Sequence, residues 1–272
     1  MKEKEIVNFY KNFWDRIEEK RLNPKFPLRR YVHLQNYLSI LKYVMKGKKV
    51  LEVGCGEGIL SVMIAKKGNQ VIGCDISRPN LEVAKERAKR ENLKNIEFLE
   101  CDACNLPFPD NSFDLVIADN VLEHLPDFWK GLSEIRRVTK SKAIIALPTC
   151  LNLCAFCLLG GDVFWKITRK TPFAILIGFL RVLKNIFKEG VDEGYGPEKL
   201  PHLWRYPWVM KRQLKRAGFE IVSFEAASIR LPYFNFNLPL VKFLDKFKRN
   251  KFLANFGYGS IAYLKKKLIK IE

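Results

Sequence analysis

Residues 50 to 58 read Val-Leu-Glu-Val-Gly-Cys-Gly-Glu-Gly, an apolar strand that ends in three glycines at alternate positions, Gly54, Gly56 and Gly58. A chain that turns at once from strand into helix needs residues tolerant of unusual backbone dihedrals. A loop whose backbone lies against a ligand needs residues without side chains. Glycine meets both demands, so this stretch predicts a ligand loop at the carboxyl end of a parallel strand. The spacing is G-x-G-x-G; the dinucleotide fingerprint G-x-G-x-x-G would need glycine at position 59, where Ile59 stands, and the nicotinamide reading loses ground. The plain alternative is a glycine-rich turn with no ligand.

The residues that follow weigh against that alternative. A helical stretch from Ile59 to Lys67 leads to a second strand, 70–75, which closes on Asp75. A carboxylate at the tip of the second strand of a nucleotide-binding α/β unit accepts hydrogen bonds from ribose hydroxyls. The pattern repeats: helix 80–90, strand 96–100, then Asp102; and strand 113–118, then Asp119 and Asn120. Acids thus recur at the carboxyl ends of successive strands, where open parallel sheets bind ligands. The fold class predicted is α/β, a Rossmann-like doubly wound sheet.

The segment from Val50 to Thr149 resembles the class I methyltransferases that use S-adenosyl-L-methionine, particularly their small-molecule and quinone-modifying branch. The resemblance rests on Glu-Val-Gly-Cys-Gly-Glu-Gly, on Cys74-Asp-Ile-Ser, on Cys101-Asp-Ala with the downstream Leu106-Pro-Phe-Pro-Asp-Asn-Ser-Phe-Asp, and on Asn120-Val-Leu-Glu-His-Leu-Pro. It implies a seven-stranded sheet with its last strand antiparallel. It also implies that Glu52 and the loop Gly54, Cys55, Gly56 and Gly58 hold the methionine part of the cofactor, and that Asp75 holds the ribose. Ile76 would face the adenine, Asp102 and Ala103 would meet its edge, and Asp119, beside Asn120, would meet the ammonium through its backbone carbonyl. One departure is Val138-Thr-Lys-Ser-Lys, read as a turn before a fifth strand over 143–147, where relatives carry a leucine and Lys-Pro-Gly-Gly.

The chain has 272 residues, long enough for a large core, and its 48% apolar and 28% charged content is that of a globular protein. Four regions are expected: an amino-terminal helical lid, 1–48; a cofactor-binding core, 49–149; a helical insertion or cap, 150–207; and a closing helix and strands with a basic helical insertion, 208–272. The first residues, Met-Lys-Glu-Lys-Glu, are unlike a secretory leader and no apolar run reaches the ~20 residues of a membrane span. Seven cysteines set mostly among apolar residues suit a reducing setting. The expectation is a cytoplasmic protein, with peripheral membrane contact a further option.

Charge is unevenly spread. The net charge of +19 divides into +7 for residues 1–48, −1 for 49–150 and +13 for 151–272. The excess lies outside the core that carries the resemblance, in parts free to vary with the substrate. A basic surface attracts nucleic acid, anionic lipid or an acidic metabolite, or merely keeps the protein soluble. In the second half, residues 173–188 read as a helix with Arg181, Lys184 and Lys188 on one face, and residues 240–252 interleave phenylalanines with lysines. Such helices pack on a core, cover a greasy pocket or lie in a membrane interface. Strands over 220–226 and 259–264 follow the helix 208–217 and complete the sheet.

Chemistry at the acceptor side is thinner in the sequence. A sulfonium methyl is already activated, so a base is needed only for a protonated acceptor. His124 and His202 are the candidate catalytic residues, with Tyr10 and Tyr195 as positioning groups. Glu123-His124 is similar to a Glu-x-x-Glu-His run that holds a divalent metal in some methyltransferases, but Asn120 replaces the first carboxylate, and no metal is expected. Cys150, Cys154 and Cys157 have the C-x3-C-x2-C spacing of a radical iron–sulfur site. They also fall at i, i+4, i+7 on an apolar helix, which reads as packing. Cys101 and Cys104 form a C-x-x-C at a strand end, a poor zinc site. The reading is a methyltransferase acting at oxygen or carbon of a small-molecule or lipid-like acceptor. An RNA methyltransferase and a non-catalytic cofactor-binding subunit are the alternatives.

Overall fold

The structure, a computed structural model, describes residues 3–162, 167–194, 200, 202–231 and 238–267. Three helices, α1 (Glu3–Lys11), α2 (Ile17–Lys20) and α3 (Pro27–Leu41), precede β1 (Lys49–Val53). The alternation predicted from the glycine loop onward follows: α4 (Ile59–Lys66), β2 (Gln70–Asp75), α5 (Arg78–Arg90), β3 (Ile96–Glu100), β4 (Phe113–Asp119), α6 (Phe128–Val138) and β5 (Thr139–Pro148). After it come α7 (Leu153–Leu159), α8 (Thr171–Lys184), a ribbon of β6 (Gly190–Asp192) and β7 (Leu203–Arg205), α9 (Pro207–Arg216), β8 (Phe219–Ala226), α10 (Leu238–Leu244) and β9 (Gly259–Lys266).

The main sheet runs β3-β2-β1-β4-β5-β9-β8. Its first five strands are parallel, and β9 inserts antiparallel between β5 and β8. This is the seven-stranded sheet with one antiparallel strand that the resemblance implies. The strand order reverses direction between β1 and β4, and a crevice opens there above the carboxyl ends of the strands. Alternating strand residues feed two cores. Leu51, Val116, Ile145 and Leu264 pack under α6 and α9, whereas Val50, Ile117, Ile144 and Ile261 pack under α3 and α4.

Three local expectations are corrected. The segment Thr139-Lys-Ser-Lys is strand and not turn: α6 passes straight into β5, with the Thr139 hydroxyl donating to the Ile135 carbonyl at 2.6 Å and Phe113 in register with Thr139. The helix read over 173–188 ends at Lys184. The one read over 240–252 is broken, because α10 tightens into a 3-10 turn at 245–247, where the buried Asp245 carboxylate turns back to accept from the Ser228 hydroxyl and the Ile229 amide. Tyr195 lies outside the described residues.

Outside the sheet, α7 and α8 pack backbone to backbone. A Cβ on Gly178 would lie 1.8 Å from the Phe156 carbonyl oxygen, and one on Gly160 would lie 1.8 Å from that of Ala174. The face α8 turns inward is narrow and small, Ala174, Gly178 and Val182, while Phe173, Leu176, Ile177, Leu180 and Leu183 face outward. Cys154 and Cys157 sit in the core shared by α7, α3 and Val241 of α10, and Cys150 in the neighbouring one. All seven cysteines are free and buried, and Cys157 donates to the Asp162 carbonyl at 3.7 Å, so these thiols pack as small apolar groups. Gly178→Ala is expected to lower stability by about 1–3 kcal/mol, the usual range for overpacking, read as an earlier thermal midpoint by circular dichroism.

Candidate active site

The crevice is a cavity of about 520 Å³ lined from every layer of the molecule: the strand tips, the amino-terminal helices and the β6–β7 ribbon. One half is built by β1 and β2. Gly54 and Gly56 both have positive φ, 67° and 50°, and line the cavity with Cys55. A side chain at Gly54 would strike Val121 at 2.3 Å, so the close approach of loop and β4 tip requires glycine. Gly58 is placed differently from its expected role. It does not line the cavity; it starts α4 with φ 70°, and a Cβ there would run into Ala84 at 2.7 Å and Phe98 at 2.8 Å. It serves the packing of helix on strand.

Asp75 receives the Gly56 amide on Oδ2 and the Ser77 amide on Oδ1, each at 2.8 Å. It therefore braces the glycine loop while facing the cavity, and each oxygen keeps a lone pair for a further donor. The buried Glu52 carboxylate accepts from the Ser61 hydroxyl. Asp119 accepts from the Asn36 amide at 2.6 Å and from the Asn120 side chain at 2.8 Å. Asn120 itself has φ 55°, a left-handed conformation that asparagine tolerates. Asp102, with Oδ1 on the Cys104 amide at 2.8 Å, joins Ile76 and Ala103 along the same wall.

Burial raises the acids. Desolvation lifts Glu52 to about 8, with the charges of Asp119 and Asp75 adding to it. Asp75 and Asp119 each rise to about 6, again chiefly through burial. Three carboxyls around glycine backbone, Glu52 buried and Asp75 and Asp119 half-buried, make a bed for a cationic ligand that also brings hydroxyl donors. S-adenosylmethionine, with its ammonium, sulfonium and ribose, fits that donor set.

The other half of the cavity carries the histidines. A 3-10 turn, Leu122–His124, leaves β4 and presents Glu123 and His124; β7 starts just after His202. The two imidazoles, 78 residues apart in the chain, stack with centroids 4.8 Å apart and planes at 1°. His124 Nδ1 is 2.9 Å from the Tyr10 hydroxyl, and His202 Nδ1 is 3.1 Å from Glu193 Oε2. Burial, then the charges of His202 and Arg21, hold His124 well below the ordinary imidazole range. Burial also lifts Glu123 to about 7. His124 and Glu123, 3.9 Å apart, are thus set against forming a charged pair at neutral pH.

Sequence reasoning missed Glu57. This loop residue is buried, and its Oε1 accepts from the Trp14 indole at 2.8 Å and the Ile17 amide at 3.0 Å. Asn80 accepts from the Asp15 amide at 3.0 Å, and the Ser77 hydroxyl donates to the Phe13 carbonyl. Residues 13–17 are strapped across the glycine loop by these bonds. An acidic side chain between two glycines of a ligand loop was the available signal.

Residues 51–147 match the family described as the methyltransferase domain. The likeness of the core is thus to a methyltransferase domain. The demethylmenaquinone methyltransferase of Geobacillus stearothermophilus is 34% identical over 143 residues, 52% of this chain and 60% of that protein. The enzyme of the same name from Listeria monocytogenes serotype 4b (strain CLIP80459) is 37% identical over 123 residues, 44% of this chain and 52% of its own. The chain thus spans less than two thirds of the length of these curated relatives. Magnesium protoporphyrin IX methyltransferase from Synechocystis PCC 6803, solved with bound SAH, superposes with a TM-score of 0.61 at 20% identity, over 97% of this chain and 100% of that one. A [4+2]-cyclase superposes at 0.57 with 19% identity, over 97% and 90%. At such identities the likeness is one of fold, and the chemistry has to be argued from the site.

Two outcomes are expected for the acid half. Asp75→Ala removes a cavity-facing carboxylate and a brace of the loop, and should weaken S-adenosylhomocysteine at least ~10-fold by calorimetry, as expected for loss of ~1.5–3 kcal/mol of charged hydrogen bonding. A cationic ligand favours the ionised acids, so binding expels the protons that burial holds on them. Affinity should therefore rise with pH, by about tenfold from pH 5 to 6.5 for one group with a free-state value near 6, with proton release seen as heats that differ between buffers.

Proposed function

We propose that this chain is an S-adenosylmethionine-dependent methyltransferase acting on a small, largely apolar, lipid-borne acceptor. The observation that carries the reading is the division of one cavity into an acid-and-glycine half and a histidine half. When bound, the cofactor supplies a methyl group already activated on a sulfonium centre. The chain's own tasks are to hold two ligands in line, exclude water and take up the proton that a hydroxyl acceptor gives up.

The residues divide accordingly. Glu52, Gly54, Cys55, Gly56, Asp75, Ile76, Asp102, Ala103, Asp119 and Asn120 form the cofactor bed, with Asp75 on the ribose and Ile76, Asp102 and Ala103 around the adenine. His124 and His202 stand at the acceptor, with Tyr10 holding His124. The strapped amino-terminal segment serves as the lid that keeps water out. An aromatic ring acceptor is in keeping with the demethylmenaquinone methyltransferases that match the core.

The source of the acceptor is argued from α8. Its outward face carries Phe173, Leu176, Ile177, Leu180 and Leu183, and Phe187 just beyond it is fully exposed. A soluble domain seldom displays such a contiguous apolar surface without a partner. The exposed Lys184 and Lys188 flank it. Arg181, the third cation read from the sequence, is exposed as well and also acts as a clasp, with Nη1 on the Leu159 carbonyl at 3.0 Å and Nη2 on the Asp192 carbonyl at 2.6 Å. Among the described residues no helix is long and apolar enough to cross a membrane. An apolar face rimmed by lysines suits a helix lying in an anionic interface. We place the protein on the cytoplasmic side of a membrane, in contact with its surface, where free thiols persist.

His124→Ala and His202→Ala should each leave S-adenosylhomocysteine affinity within about threefold and lower turnover, because their work is at the acceptor. Loss of cofactor binding by a folded variant would move that histidine to the other half. For the membrane, flotation with vesicles containing anionic lipid should carry the wild type at low salt. Leu176→Ser/Leu180→Ser/Phe187→Ser should abolish it, and Lys184→Gln/Lys188→Gln should weaken it by up to ~1 kcal/mol per charge. No flotation together with a tight gel shift on bulk tRNA would make RNA the target of the basic surface.

A further inference from the structure

We propose that Arg29 and Arg230, together with Arg21 and His33, form an oxyanion site at the acceptor end of the cavity. The acceptor is then an apolar molecule that carries a carboxylate or phosphate at the end away from the methylated atom. This rests on the methyltransferase reading and narrows its substrate class.

All four residues line the one cavity, and they reach it from three separate segments. Arg29 and His33 are one turn apart on α3, on the face that continues to Asn36 and its bond to the Asp119 carboxylate. Arg21 caps the end of α2, and Arg29 fastens that end to α3 with Nη1 on the Lys20 carbonyl at 2.8 Å. Arg230 lies in the stretch after β8, whose backbone is held on two sides. The Tyr258 amide donates to the Ser228 carbonyl at 3.0 Å, and the Ile229 amide to Asp245 at 2.8 Å.

The charges converge. Burial, then Arg230, Arg21 and Arg29 in that order, hold His33 well below the ordinary imidazole range, so three guanidiniums act on one neutral ring. Burial lifts Tyr258 to about 12 against the charges of Arg230 and Arg21. Arg230 is only 5% exposed, with its guanidinium 3.7 Å over the Tyr258 ring. The carboxylates that share the cavity are turned to other groups: Glu193 to His202 and the Trp204 indole, Asp15 to the Asn80 side chain, Asp119 to Asn36 and Asn120. Guanidiniums gathered on one wall of a pocket repel one another, an oxyanion relieves that repulsion, and their planar forks match carboxylate and phosphate.

The path from this cluster to the histidines is aromatic. Trp204 meets Tyr258 at 5.2 Å between ring centroids and His202 at 5.6 Å, and His202 stacks on His124. Such a wall takes an apolar body. An acceptor anchored by its oxyanion at Arg230 and laid along the wall brings its far end to His124. The competing anion is the cofactor's own carboxylate. Arg21 also opposes the burial that raises Asp119, on the cofactor side, so Arg29 and Arg230 are the residues that discriminate.

The test is calorimetry on the full chain saturated with S-adenosylhomocysteine, with octanoate, octyl phosphate and octanol as probes. At least one anionic probe should bind ~10-fold or more tightly than octanol, and the tighter of the two identifies the oxyanion. Arg29→Gln and Arg230→Gln should each weaken that anion at least ~10-fold while leaving octanol and S-adenosylhomocysteine within about threefold. Arg230→Lys, which keeps the charge and loses the fork, should recover part of the affinity. The ring signals of His33, one of three histidines, should move in the NMR spectrum when the anion is added. Leu176→Ser/Leu180→Ser/Phe187→Ser should bind the anion like the wild type, which separates the site from the outer face of α8. Thermal midpoints check that each variant is folded. Anions that bind no better than octanol, or folded arginine variants that bind them like the wild type, would overturn the site. Loss of S-adenosylhomocysteine binding by Arg29→Gln or Arg230→Gln would also overturn it, by making those arginines part of the cofactor bed. A wild type that binds no S-adenosylhomocysteine would instead remove the methyltransferase reading, and the same titrations of the ligand-free chain then decide the oxyanion site by itself.

Discussion

Carboxylates drawn wholly or partly out of water at the carboxyl ends of parallel strands are the constraint around which this molecule is arranged. Glu52, Asp75 and Asp119 all sit where β1 and β4 part, and burial raises each of them. In the ligand-free protein that burial opposes ionisation, so the folded state is favoured at low pH and loses that advantage as pH rises through each raised value. A ligand that brings positive charge restores the balance. The surrounding hydrogen bonds follow from the same need: the Gly56 and Ser77 amides on Asp75, the Ser61 hydroxyl on Glu52 and the Asn36 amide on Asp119 stabilise the acids while leaving the cavity side open.

The outer helices obey a different rule. Most helices of a globular domain put large apolar side chains inward. In α8 the inward positions go to Ala174, Gly178 and Val182 because the α7 backbone is too close for anything larger, and the large residues are left outside. The same contact that fixes α8 on the protein therefore determines what it shows to its surroundings. Arg181 reinforces it by bonding the end of α7 to β6, which ties down its guanidinium while the residue stays exposed beside the lysines at the helix end.

The cofactor half was legible in the sequence because its parts are local: a strand, a glycine turn and an acid at the next strand tip all fall within about 25 residues of one another. The antiparallel last strand followed from the family resemblance. What escaped prediction is held by distant partners. Nothing near Glu57 in the sequence announces Trp14, and nothing near His202 announces His124 or Glu193 across a turn and a ribbon. The unbroken passage from α6 into β5 was missed for a related reason: Thr139-Lys-Ser-Lys has a turn-like composition, and pairing with β4 and β9 overrides it. Gly58 shows the reverse, a residue with the right local pattern whose space is claimed by Phe98 from another strand.

The bonds that Glu57 accepts from Trp14 and Ile17 give the five-residue turn between β1 and α4 two jobs at once. Its backbone is the floor under a ligand, and its one long acidic side chain is the hinge pin of the roof. Floor and roof are then mechanically one part: a ligand that presses on the glycines presses also on the segment that encloses it, and the enclosure cannot drift open without disturbing the floor.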